Sequence, residues 1–96
     1  MKNKYELVLI LKSSTTEEKQ KEIAKLIEKS IQPEGTIINT NNWGKKVLSY
    51  PIKKEKEGIY LLLTLEMLAK SAKTLSEKFK LSEIILRHLL IRKDSS

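Results

Sequence analysis

Residues 59–65 read Ile-Tyr-Leu-Leu-Leu-Thr-Leu, and this stretch decides the fold. Every second position from Ile59 to Leu65 is apolar, and Leu62 adds an apolar residue to the opposite face. A two-residue period is typical of a β-strand, because successive side chains point to opposite faces. Apolar residues on both faces indicate a strand in the centre of a sheet.

The segment before this stretch predicts a second, longer strand. Residues 36–54 are rich in Ile, Thr, Asn, Val and Tyr, and Gly44 interrupts them, which favours a bend or bulge at the glycine. Pro51 has no N–H to donate to a neighbouring strand, so this strand is expected at an edge of the sheet. Residues 53–58 are predicted to form the hairpin loop that joins the two strands.

The amino-terminal third predicts a strand followed by a helix. Residues 5–12 are apolar on both faces at their centre and polar at their ends, which again favours a central strand. Thr15 and Glu18 have the spacing of a capping box, and Ile, Ala and Ile then recur at helical intervals. The first helix is therefore predicted over Thr16 to Gln32, ending before Pro33.

Two more elements complete the order. Apolar residues at helical intervals from Leu68 to Phe79 predict a second, short amphipathic helix, and residues 84–92 predict a closing strand rich in Ile and Leu. The order strand, helix, strand, strand, helix, strand is the split β-α-β pattern of an α+β protein. Right-handed connections place both helices on one face of a four-stranded antiparallel sheet. We expect one domain over residues 1–96, with function on the open face and the edges.

Composition excludes several classes of function. The 96 residues carry 19 Lys and Arg against 12 Asp and Glu, a net charge of +7, and contain no Cys and one His. Disulfides, thiol nucleophiles and cysteine zinc sites are therefore absent, and His88 alone predicts no metal site. A nucleophile would lack an identifiable base, so we expect neither an enzyme nor a cofactor. The apolar runs are far shorter than the roughly 20 residues of a membrane span, and the chain is expected in the cytoplasm.

The second strand carries the most informative charge pattern. Residues 41–60 hold five Lys and two Glu, and the lysines alternate with Trp43 and Tyr50. Strict alternation would place one set on one face (Trp43, Lys45, Val47 and Ser49) and the other set opposite (Lys46, Leu48, Tyr50 and Ile52). Lysines and a proline protect an edge strand from aggregation, whereas basic and aromatic residues together also suit nucleic acid. The two interpretations are about even, and residues 69–80, also net +3, form a competing basic surface.

A family resemblance favours the nucleic-acid interpretation. The matching segments are Tyr5-Glu6, Trp43-Gly44, Leu48-Ser49-Tyr50-Pro51-Ile52, Glu57-Gly58-Ile59-Tyr60 and Leu86-Arg87-His88-Leu89-Leu90-Ile91-Arg92. In this order and over its whole length the chain resembles the family of bacterial small-subunit ribosomal protein six. The resemblance implies a ferredoxin-like fold, binding to the central domain of small-subunit ribosomal RNA, and tight pairing with small-subunit ribosomal protein eighteen. It also implies a place in the ribosome, in the cytoplasm or in an organelle.

The resemblance and the charge pattern together suggest site residues. The residues expected to face RNA phosphates are Lys2, Lys45, Lys46, Lys53, Lys54, Arg87 and Arg92. The residues expected to form an edge for the partner protein are Trp43, Val47, Leu48, Tyr50 and Ile52. Lys45 and Lys46 replace arginines that are common in the family, and Val47 replaces a longer polar residue. These departures weaken the expectation of bidentate phosphate contacts there.

Two alternatives share this topology, because a fold alone does not define a function. One is a regulatory RNA-recognition motif. The third strand argues against it, because this strand lacks the paired exposed aromatic residues on which bases stack. The other is a small-molecule-binding regulatory or acyl-phosphate-hydrolysing domain. The turn after the first strand lacks the Arg and Asn that would help bind a phosphate there.

Overall fold

The computed structural model describes residues 2–93 and contains the six predicted elements in the predicted order. They are β1 (Asn3–Lys12), α1 (Glu17–Ile31), β2 (Thr36–Ile52), β3 (Glu55–Met67), α2 (Ala69–Leu81) and β4 (Ile85–Lys93). The antiparallel strands lie in the order β2-β3-β1-β4, so β1 and β3 are central and β2 and β4 are edges. The predicted α+β fold with a split β-α-β order is confirmed. None of the helices described is long and apolar enough to cross a membrane.

The core lies between the sheet and the two helices. In the register of the sheet, Leu7 of β1 pairs with Leu63 of β3 on one side and with Leu90 of β4 on the other. Leu7 and Leu63 are buried, and their face of the sheet packs against apolar residues of both helices, such as Ile27 and Phe79. Every second residue of the central strands therefore packs into the core, as their two-residue period predicts.

The N-cap of helix α1 lies one residue later than predicted. The hydroxyl of Thr16 accepts a hydrogen bond from the backbone N–H of Lys19 at 3.2 Å, which makes Thr16 the N-cap. Thr15 instead donates its N–H to the carbonyl of Lys12 at 3.0 Å, in the turn that leaves β1. The predicted capping box between Thr15 and Glu18 is therefore wrong, because Thr15 belongs to the turn that precedes the helix.

The hairpin between β2 and β3 is tighter than predicted. Its turn consists of Lys53 and Lys54 alone, with φ angles of 50° and 69°, and Glu55 already pairs with Ile52. The prediction of a loop over residues 53–58 is therefore wrong. Two consecutive left-handed residues form a tight hairpin turn, which sequences usually mark with Asn or Gly. Lysine gives no such signal.

Strand β2 is irregular along its length. Its pairing with β3 shifts between Ile37 and Asn39, between Asn42 and Gly44, and between Val47 and Ile52. At the last shift, residues 48–51 face a single residue of β3 and bulge from the ladder, with Pro51 among them. The alternation predicted for residues 43–52 therefore holds for residues 44–47, which pair with β3 without a shift, and is broken by the register shifts on either side of them.

Candidate nucleic-acid interface

Four of the predicted basic residues gather at the hairpin end of the molecule. Lys45 and Lys46 lie on β2, Lys53 and Lys54 form the turn, and all four side chains are exposed. The hairpin extends beyond the central sheet, because β1 ends where Lys12 pairs with Gly58. Positive charge is therefore concentrated on a projecting element that an RNA backbone can approach from several sides.

The register adds two cations to this end on the helix-free face of the sheet. Lys46 pairs with Gly58, which pairs with Lys12, so the two lysines lie in one row across the glycine. Arg87, which the sequence predicted, is exposed on β4 and pairs with Ile10 in the neighbouring row. Lys12 was not predicted as a site residue, because only the register of the strands shows that it lies opposite Gly58.

The other two predicted cations lie at the far end of the sheet. Lys2 is 3.8 Å from the carboxylate of Glu66, and the guanidinium of Arg92 donates to the side-chain carbonyl of Asn3 at 3.1 Å. A ten-residue strand separates them from the hairpin, which is roughly 30 Å at about 3.3 Å per residue. The structure therefore does not bring the seven predicted phosphate-facing residues into one site.

The helix-free face carries an apolar surface that sequence reasoning did not single out. Val8 pairs with Leu62 on one side and Leu89 on the other, and Ile91 lies in the next row beside Glu6. Leu89 and Ile91 are 55% and 45% exposed. We call this set the open-face apolar patch; its members are Val8, Leu62, Leu89 and Ile91. The alternating positions of these residues are visible in the sequence, but only the order and register of the strands show that they lie next to one another on the sheet.

The predicted partner edge is only partly on the surface. Trp43 is 51% exposed, and Val47 and Tyr50 are each 79% exposed. Leu48 is buried: its side chain closes over Gly58 beside Ile10. Ile52 is half-buried. Leu48 therefore holds the hairpin against the sheet and does not line an exposed edge.

His88 lies on the helix-covered face of β4. Its ring is half-buried and tilted against Phe79, with the ring centroids 5.3 Å apart. Burial lowers the pKa of His88 below 6.5, and the positive charge of Lys80 lowers it further. Among the residues described, no three His, Asp or Glu side chains are placed to hold a metal ion. The histidine is a packing residue in a basic environment.

The competing basic surface lies on the opposite side of the molecule. Its lysines are on α2, where Lys70, Lys73, Lys78 and Lys80 are exposed. Lys78 donates to the hydroxyl of Ser30 on α1 at 2.9 Å, which ties the two helices together. A single RNA segment on the helix-free face would therefore not meet this surface.

The fold and the site together define a small, basic α+β binding protein with a charged hairpin. A family model described as ribosomal protein S6 matches residues 4–92, and the chain belongs to this family. It is 39% identical over 90 residues to a small ribosomal subunit protein bS6 from Alkaliphilus metalliredigens and 40% identical over 90 residues to one from Alkaliphilus oremlandii. Each match covers 94% of this chain and 96% of the relative.

A solved structure supports the fold. The crystal structure of a 30S ribosomal protein S6 from Thermotoga maritima superimposes with a TM-score of 0.84, covering 97% of this chain and 89% of that one at 22% identity. The ferredoxin-like fold that the resemblance implied is therefore confirmed. Membership of the family makes the chain a ribosomal protein and not an enzyme, and places it with the ribosome in the cytoplasm.

Proposed function

We propose that the chain is a structural component of the small ribosomal subunit, acting as a single domain. It binds the central domain of small-subunit ribosomal RNA together with small-subunit ribosomal protein eighteen. The observation that carries the RNA part of the proposal is the cluster of four exposed lysines, Lys45, Lys46, Lys53 and Lys54, on one projecting hairpin. The relatives named above are themselves described as small-subunit proteins.

The hairpin supplies attraction more than sequence recognition. An ammonium group is a compact charge that attracts phosphate without fixing its orientation, whereas the planar guanidinium of Arg87 can do both. Lys12 and Arg87 extend the positive surface from the hairpin onto the helix-free face. Lys2 and Arg92 make a second contact with the RNA at the far end of the sheet. The open-face apolar patch lies between these two residues and the hairpin cations.

The partner protein is proposed to cover the apolar part of this face. Exposed apolar residues that adjoin one another typically mark a protein interface. Leu89 and Ile91 of the open-face apolar patch are about half exposed. A protein that covers these residues would lie between the two basic ends and could contact the same RNA.

Titration of the RNA fragment tests this proposal. Binding is measured for this chain alone, for the partner alone and for both together at fixed salt. Coupling between two ligands is typically about 1–3 kcal/mol, so saturating partner should tighten RNA binding by roughly 5- to 150-fold. An affinity for this chain that is unchanged by the partner would contradict the joint binding and leave an independent RNA binder.

A matched pair of variants assigns the partner surface. Leu89→Gln on the helix-free face should abolish the effect of the partner while leaving RNA binding by the chain alone unchanged. Leu81→Gln is the control, because Leu81 is 85% exposed at the end of α2 on the other side of the sheet. Equal effects of the two substitutions would contradict the assignment of the partner to the helix-free face.

A further inference from the structure

A concave pocket lies where the hairpin meets the helix-free face, and we call it the hairpin pocket. Its volume is about 570 Å³, within the range of roughly 300–1,000 Å³ that ligand sites occupy. The bulged residues 48–51 of β2 form its wall, and Ile10 and Tyr60 of the central strands form its floor. Tyr50, Lys53 and Arg87 complete its lining.

Two glycines shape the floor of the hairpin pocket. Tyr60 pairs with Gly44 on β2, so no side chain covers that flank of the ring. Gly44 has a φ angle of 76°, and a Cβ atom built there meets nothing within 4 Å. At Gly58, on the same face of β3, a Cβ atom would lie 2.5 Å from Cγ2 of Ile10, so only glycine lets Ile10 pack there. The pocket is therefore built into the backbone of the hairpin.

The lining combines two phenol rings with two cations. Tyr50 is 79% exposed and Tyr60 is half-buried, while Lys53 and Arg87 are both exposed. The residues that line the hairpin pocket include no carboxylate. Aromatic rings accept a flat base by stacking, which is tolerant of sequence, and the cations attract a phosphate. The chemistry fits a ligand that is flat and aromatic at one end and anionic at the other.

We propose that the hairpin pocket receives one unpaired nucleotide of RNA, with its base against Tyr60 and Tyr50 and its phosphate between Lys53 and Arg87. This inference rests on the proposed function and states which feature of the RNA the hairpin end recognises. A base inside a duplex cannot reach the floor of the pocket. The pocket therefore selects single-stranded RNA, whereas the hairpin lysines attract any phosphate backbone.

Single-residue variants and two short RNAs test the pocket. The probes are a hexa-adenylate single strand and an RNA duplex of similar length, titrated at the same salt concentration. Tyr60→Leu keeps an apolar floor but removes the ring on which the base stacks. Because one stacked base contributes to binding affinity on the order of 5- to 150-fold, this substitution should weaken binding of the single strand by that factor. Tyr60→Phe keeps the ring and should bind the single strand as the unchanged chain does. Neither substitution should alter binding of the duplex.

Two further results distinguish failure of the pocket proposal from failure of the proposed RNA-binding function. Thermal unfolding of each variant shows that it is folded, and Tyr50→Leu provides a second variant at an exposed position. If both leucine variants bind the single strand normally while charge reversal of the hairpin lysines abolishes binding, the pocket is refuted and the RNA-binding function stands. If Tyr60→Leu removes the effect of the partner protein but not binding of the single strand, the pocket belongs to the protein partner and the nucleotide proposal is refuted.

Discussion

Two lysines at the tip of the hairpin occupy a backbone conformation that lysine rarely adopts. Lys53 and Lys54 have φ angles of 50° and 69°, in the left-handed region that costs a residue with a Cβ atom roughly 1–2 kcal/mol. Strain of this kind persists where the surrounding structure imposes it, often at functional sites. Here the paired strands impose it, and the turn carries two positive charges where Asn and Gly would be less strained.

Lys54→Gly should therefore stabilise the fold and weaken RNA binding. We expect the free energy of unfolding to rise by about 0.5–1 kcal/mol, since glycine relieves the left-handed strain but gains freedom in the unfolded chain. Loss of one phosphate contact should lower the magnitude of the salt slope of RNA binding by about 0.9 at most. Denaturant unfolding and titrations at several salt concentrations measure the two effects.

Lys56→Gly is the matched control for the turn. Lys56 is exposed on β3 of the same hairpin, and glycine in a strand is destabilising by roughly 0.5–1 kcal/mol. The two substitutions remove the same charge but should change stability in opposite directions. A loss of stability in both would contradict the assignment of strain to the turn.

His88 should give the fold a pH dependence near neutrality. Burial beside Phe79 and the charge of Lys80 hold the pKa of His88 below the ordinary value of 6.5 that it regains on unfolding. The unfolded chain therefore binds the proton more readily, and the stabilisation is complete above about pH 6.5 and is lost as the pH falls toward the folded pKa. The free energy of unfolding should decrease from about pH 7 to pH 5, and His88→Leu should flatten this decrease. An equal decrease in the variant would assign it to other groups.

At the scale of elements, the sequence predicts whatever depends on periodicity. The central strands β1 and β3 and both helices follow from two-residue and helical spacing, because burial of one face imposes those spacings. The turn at Lys53 and Lys54 and the bulge at residues 48–51 do not, because they depend on how the two strands meet at the tip. The same limit applies to the site: the hairpin lysines were visible in the sequence, whereas Lys12 and the open-face apolar patch required the register.

Leu63 should be among the most costly positions to truncate. It is 1% exposed at the centre of β3, between the sheet and the helices. Leu63→Ala should lower the free energy of unfolding by roughly 2–5 kcal/mol, through lost burial and the cavity left behind. Leu62→Ala, on the half-buried helix-free face of the same strand, is the control and should cost less in denaturant unfolding. Equal losses would mean that the two faces contribute alike to the core.

The packing of α1 against the sheet leaves room for a larger residue. An open groove of about 280 Å³ lies between them, and Ala24 lines it together with Ile23, Ile27 and polar residues such as Gln20 and Asn42. Ala24→Leu should raise the free energy of unfolding by about 1 kcal/mol, since a larger side chain in this groove covers additional apolar surface of Ile23 and Ile27. Ala72→Leu is the control, because Ala72 already packs against the core on α2 and overpacking costs about 1–3 kcal/mol. A loss of stability in Ala24→Leu, measured by thermal unfolding, would show that the groove cannot accept the larger side chain.

At the scale of the whole molecule, two basic surfaces lie on opposite sides of the sheet, and salt dependence distinguishes them. With about four to five phosphates neutralised, the logarithm of RNA affinity should fall with the logarithm of salt concentration with a slope of magnitude roughly 3–4. Reversing the hairpin charges (Lys45, Lys46, Lys53 and Lys54 to Glu) should remove most of this slope. Reversing the α2 charges (Lys70, Lys73, Lys78 and Lys80 to Glu) should change it little. An equal loss from the second set would move the main RNA contact to α2.

The central position of β1 has a consequence for the synthesis of the protein. Of the four strands described, β1 is made first, yet one of its two neighbours in the sheet is β4, which is made last of the four, and their ladder joins residue 7 to residue 90. Contacts between residues so distant in sequence form slowly, because a long loop must close first. During translation the nascent chain holds an incomplete sheet with one side of β1 open until β4 emerges. A chaperone that shields strand edges would therefore be able to contact the open side of β1 before β4 emerges and not afterwards.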